Sequence, residues 1–187
     1  MKQPRQGSVR VFGCVPGHPE VLRRVGYAPE EALPPEYLTG GEYLSIVGSM
    51  RCHGPARGRD EIEQLLSWIE LDPRKTVRDY SKGMRRRLLI AQAFIGSPDL
   101  LILDEPLNGL DPVIIIRLRE KLAAYCADGG TLLYSSHILA EVEKTCTDIA
   151  ILHAGRLAWS GTVGEAVAGF GSVESAFAAK VGGGGTA

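Results

Sequence analysis

The chain lacks a charge excess of either sign: 21 lysines and arginines face 22 aspartates and glutamates, for a formal net charge of -1 over 187 residues. That balance speaks against the basic footprint with which proteins grip nucleic-acid phosphates. Although 44% of the residues are hydrophobic, no apolar run approaches the roughly 20 residues needed to cross a bilayer. A role at a membrane would therefore work through a partner. No apolar segment follows the basic start, so a secretory leader is not expected. Cys14, Cys52, Cys126 and Cys146 show no C-x-x-C spacing, which removes the usual zinc and redox motifs and predicts reduced thiols inside a cell. No internal repeat is present.

What is there alternates between two periods. Ser8 to Gly13 reads as a half-exposed strand and Val25 to Ala28 as a second. Thr39 and Glu42 form a capping-box pattern before a helix running toward Met50, and Cys52 to Gly58 reads as a loop. Asp60 to Ile69 and Met84 to Ile95 carry apolar residues at helical spacing. Leu100 to Leu103 and Thr131 to Tyr134 are unbroken runs expected to be parallel strands buried on both faces. Helices are expected over Val113 to Tyr125 and Ile138 to Lys144, and a hairpin over Ile149 to Leu152 and Leu157 to Trp159. Strands alternating with helices predict an α/β domain over 1–187, with a mainly helical insert over 34–97.

Three places carry chemistry. Asp104 and Glu105 stand at the C-terminal end of an apolar strand, where ligands gather in open α/β sheets. Asp104 suits a Mg²⁺ ion and Glu105 the polarisation of an attacking water; an acidic turn is the plainer alternative. Ser81 and Gly83 open the helix from Met84, where a hydroxyl and free N–H groups favour an anion; an ordinary helix cap is equally consistent. His137 follows the second apolar run, suited to a terminal phosphate or to an ordinary loop.

Taken together, Tyr80-Ser81-Lys82-Gly83-Met84, Leu100 to Glu105, Leu110-Asp111 and His137 resemble, in order, the signature, Walker B strand, D-loop and switch histidine of ATP-binding-cassette ATPases. The likeness extends over Gly26 to Gly161. Gly26-Tyr27-Ala28-Pro29-Glu30 and Leu38-Thr39-Gly40-Gly41-Glu42-Tyr43-Leu44 are similar to segments of bacterial exporter-type subunits. The resemblance implies a RecA-like P-loop NTPase core, a parallel sheet with a helical signature subdomain over 34–97. It implies ATP and Mg²⁺ as ligands, with Asp104 on the metal, Glu105 and His137 catalytic, and Ser81, Gly83, Glu30 and Asp111 toward the nucleotide. It further implies head-to-tail pairing with a second ATP-binding subunit and docking to a membrane permease at the inner face of the cell membrane.

The chain departs from that pattern in three ways. Glu30 takes the place of the Q-loop glutamine, and Lys82 and Met84 take those of a glycine and a glutamine in the signature. The phosphate-wrapping pattern G-x-x-x-x-G-K-[ST] does not occur in these residues. The chain thus reads as N-terminally truncated, inactive alone, and short of a central strand expected beside Leu100 to Leu103. Two other readings stand beside the exporter subunit: a non-catalytic subunit that donates its signature to a partner, and a soluble cassette ATPase without a permease.

Overall fold

The computed structural model describes residues 4, 6–51 and 55–182, with side chains from 55 to 58 left aside. Two compact units are present, Met1–Ser135 and Ser136–Ala187.

The first unit opens on a tight turn instead of a strand. Val11 and Cys14 exchange both backbone hydrogen bonds (2.8 and 3.0 Å), and Phe12 and Gly13 between them have φ of 52° and 76°. This left-handed pair has the geometry of a two-residue hairpin turn. The alternation over Ser8 to Gly13 therefore does not become a strand, because among the described residues no neighbouring strand pairs with it; the Arg24 guanidinium lies over the Phe12 ring instead, 3.7 Å from its centroid.

Helix α1 (Pro19–Arg24), capped by His18 with proline in its first turn, runs directly into strand β1 (Val25–Ala28). Helix α2 (Gly40–Arg51) begins at the expected box: Thr39 Oγ1 accepts from Glu42 N (3.2 Å) and Glu42 Oε2 accepts from Thr39 N (2.8 Å). Helix α3 (Pro55–Trp68) starts within the segment expected to be a loop and ends before Glu70, whose φ is 52°. Cys52 and the rest of 52–54 lie outside the described residues. Cys14, Cys126 and Cys146 form no disulfide among the described residues. After a short 3-10 turn (Val77–Asp79) come α4 (Lys82–Phe94), β2 (Leu100–Asp104), α5 (Pro112–Ala127) and β3 (Thr131–Ser135).

The three strands form a parallel sheet in the order β1-β2-β3, with Gly26, Leu101 and Leu132 in register and Tyr27, Ile102 and Leu133 beside them. β2 is hydrogen-bonded on both sides, so a further strand cannot lie next to Leu100 to Leu103; the sheet's outer strands are β1 and β3. α4 packs on the face of Gly26, Leu101 and Leu103. A Cβ on Gly26 would collide with the Ala93 carbonyl, so helix and strand approach as only glycine permits. Leu101 and Leu103 are fully buried there, each worth about 1.5–3 kcal/mol of transfer free energy.

The opposite face differs from expectation. Tyr27 is 48% and Leu133 60% exposed, and β3 alternates exposed and half-buried residues. An unbroken apolar run shows that a strand tolerates burial on both faces; whether both are covered depends on other elements.

The second unit contains α6 (Leu139–Thr145), the antiparallel pair β4 (Asp148–His153) and β5 (Arg156–Thr162), then α7 (Val163–Phe170) and α8 (Val173–Gly182). The hairpin was legible in sequence; α7 and α8 are additional. Thr162 and Glu165 cap α7 reciprocally, and Ile151, Ala166, Val173 and Ala176 form the unit's core. Among the described residues no helix is long and apolar enough to cross a membrane.

Candidate functional site

The carboxyl end of the sheet gathers the acidic residues. Asp104 closes β2 opposite Ser135 of β3, and the Ser135 hydroxyl donates to Asp104 Oδ1 at 2.5 Å. Glu105 follows with φ of 47°, a left-handed conformation costing about 1–2 kcal/mol for a side chain of this kind. Its backbone N–H is held by Ser135, through the carbonyl (3.2 Å) and the hydroxyl (3.0 Å). The turn then closes from Asn108 N to Glu105 O (3.2 Å). Across the sheet, Glu30 leaves the end of β1 and its Oε1 accepts from Asn108 Nδ2 at 3.4 Å. Ser135 and Asn108 escaped the sequence reading; the only available signal was the parallel register that sets Ser135 beside Asp104.

Arg86 was also missed as a site residue. The arginines at the start of α4 diverge because successive helical residues are rotated by about 100°. Arg85 donates to the carbonyls of Val77 (3.3 Å) and Arg78 (3.1 Å), and Arg87 to that of Ile69 (2.9 Å). Arg86 points into the core, only 5% exposed, and donates to the carbonyls of Pro106 (3.4 Å), Glu30 (3.3 Å), Pro29 and Asp104. Burial pushes its guanidinium below the ordinary arginine range, and the charges of Asp104, Glu30 and Glu105 oppose that shift. One buried cation thus holds the main chain at both Glu30 and Asp104.

Ser81 caps α4: its hydroxyl accepts from Met84 N at 3.2 Å. A Cβ on Gly83 would lie 2.8 Å from the Gly109 carbonyl, so within this chain the glycine admits the turn after β2 against the start of α4. Tyr80 ahead of them is buried and donates to Asp72 O at 3.0 Å; burial foremost, then the Asp72 charge, raises its phenol, and Arg87 opposes. Asp111 caps α5, its Oδ1 accepting from Val113 N and Ile114 N at 3.1 Å each. The structure therefore ties the main chain of Glu30 and Asp104 to Arg86, with Glu105 next along the chain, and sets Gly83 against Gly109. His137 belongs to the second unit, between β3 and α6.

The donor set suits a hard cation. Carboxylate oxygens and a serine hydroxyl stand at the strand end, and no group of three or more metal-ligating side chains occurs among the described residues. That combination fits Mg²⁺, which binds through one or two carboxylates while sharing phosphate oxygens and water; it does not resemble a dedicated all-protein metal cage.

The family described as ABC transporter matches residues 1–108. The chain is 40% identical over 167 residues to an uncharacterized ABC transporter ATP-binding protein of Nostoc sp., covering 87% of this chain and 50% of that one. It is 37% identical over 174 residues to the daunorubicin/doxorubicin resistance ATP-binding protein DrrA of Streptomyces peucetius, covering 91% and 53%. A solved chain described as an ATP binding subunit of an ABC transporter superposes with a TM-score of 0.87 at 31% identity, covering 95% of this chain and 77% of that one. The chain spans about half the length of the curated relatives it matches.

Proposed function

This chain belongs to the ABC transporter family, and on that premise we propose that it is part of an ATP-hydrolysing subunit that drives a bacterial exporter. The observation that carries the reading is the convergence of Glu30, Asp104 and Glu105 at the carboxyl end of a parallel sheet, close to the turn that packs against Gly83.

Bound Mg-ATP would supply the phosphoryl group, with the metal offsetting its charge. Asp104, oriented by the Ser135 hydroxyl, would hold the ion, and the Glu30 carboxylate would contribute directly or through water. Glu105, in a left-handed backbone just past the end of β2, would orient the attacking water and accept its proton. Ser81, Gly83 and the first N–H groups of α4 would face a phosphate held by a second ATP-binding subunit, with Asp111 bordering the same nucleotide. His137 would contact the terminal phosphate. Residues 34–97 would form the helical signature subdomain, and a membrane permease at the inner face of the cell membrane would complete the assembly.

The test is steady-state ATP hydrolysis by the full-length protein. Glu105→Gln should retain nucleotide binding and lose turnover. Parental turnover in that variant would overturn the assignment and favour a subunit that only donates its signature to a partner's site.

A further inference from the structure

Arg86 is the charged side chain buried in the core among the described residues. Burying a guanidinium is costly unless its donors are satisfied. Its acceptors here are the carbonyls of Pro29 and Glu30 after β1 and of Asp104 and Pro106 at the end of β2. A cation whose sole task was to neutralise the nearby carboxylates would bind a carboxylate oxygen. This one holds main chain on two sides, and its planar fork of five N–H donors can span both where an ammonium point charge cannot.

Arg86 lies on the helix that Ser81 caps, about one turn beyond Gly83. α4 thus touches the end of β2 and the turn after it at two places, through Gly83 against Gly109 and through Arg86 to Asp104 and Pro106. A displacement of the start of α4 relative to β2 has to disturb one contact or both.

We propose that Arg86 is a positioning residue that couples the Ser81 end of α4 to the carboxylate end of the sheet, by holding the main chain of Pro29, Glu30, Asp104 and Pro106 in one register. The proposal rests on the reading of Glu30, Asp104 and Glu105 as metal and water groups. Through Arg86, the half-site that faces a partner's nucleotide and the half-site that serves the chain's own nucleotide share one rigid element.

The experiment measures kcat per bound nucleotide, KM for ATP and melting temperature in the full-length protein. Arg86→Lys keeps the charge but cannot bridge both loops; kcat per bound nucleotide should fall about 10- to 100-fold, the scale of a misplaced catalytic group, while KM changes by less than about threefold. Arg86→Gln, which can reach only one loop, should lose at least as much. A purely structural role would lower the folded fraction and leave kcat per bound nucleotide unchanged, and that result overturns the proposal. Coupling is read from Ser81→Ala in both backgrounds: its effect on kcat should shrink when Arg86 is already lysine, and strict additivity would also overturn the proposal. Glu105→Gln separates the two levels. If it leaves turnover unchanged, the underlying reading fails; if it lowers turnover while Arg86→Lys does not, only the coupling fails.

Discussion

Glu105 in the first unit and Ala154 in the second have the same left-handed backbone, φ 47° in each, and they carry that strain for different ends. Ala154 precedes Gly155 (φ 73°) in the two-residue turn between β4 and β5. There the sign of φ is imposed by loop length, since tight hairpins need this twist, and any side chain that tolerates it would serve. Glu105 sits in no hairpin. Its N–H is held across the sheet by Ser135, and the strained residue is an acidic one that directly follows Asp104. The same φ therefore marks a connection in one unit and a candidate chemical group in the other; the neighbours distinguish them.

The contrast can be broken most directly at Glu105. Glu105→Gln should cut ATP turnover by about 10² or more, the scale for loss of a general base, with the melting temperature unchanged. A thermal shift instead of a kinetic one would return Glu105 to the same class as Ala154. Next in size is Gly26→Ala, whose Cβ would meet the Ala93 carbonyl. A cost of about 2 kcal/mol or more in denaturant unfolding is expected, within the usual range for overpacking. A parental unfolding midpoint would contradict the close approach of α4 and β1.

The two units can also be compared through their helix caps. Asp111→Ala in the first and Thr162→Ala in the second should each cost about 1 kcal/mol, measurable by chemical denaturation. Only Asp111→Ala should also change the ATP dependence of hydrolysis; an equal kinetic effect from Thr162→Ala would erase the distinction between the units. The smallest effect belongs to Ala154→Gly, which relieves the left-handed strain and should stabilise by about 0.5 kcal/mol after the added chain entropy of glycine. Glu105→Gly relieves the same strain but should abolish turnover, so the pair of substitutions separates backbone from side chain.

Local rules were readable where both partners of an interaction lie within a few residues. Thr39 and Glu42 cap α2 as the spacing predicts, Ser81 caps α4, and the β4-β5 hairpin turns where its glycine allows. Ser8 to Gly13 misled because alternation describes a strand's faces and says nothing of a pairing neighbour. Leu100 to Leu103 and Thr131 to Tyr134 misled about burial for a related reason, since cover is supplied by residues far along the chain.

The sequence by itself determined the starts of α2 and α4, the parallel strands and the identity of the acidic strand end, because capping, periodicity and the pairing of Asp104 with Glu105 are encoded over short spans. Only the tertiary structure decided that β2 is flanked on both sides, that Ser135 holds both Asp104 and the Glu105 backbone, and that one of three adjacent arginines turns inward. Nothing in Arg85-Arg86-Arg87 distinguishes the middle residue. Its role arises because α4 presents that position to carbonyls brought in from residues 29–30 and 104–106, and long-range packing of this kind leaves no local pattern in the chain.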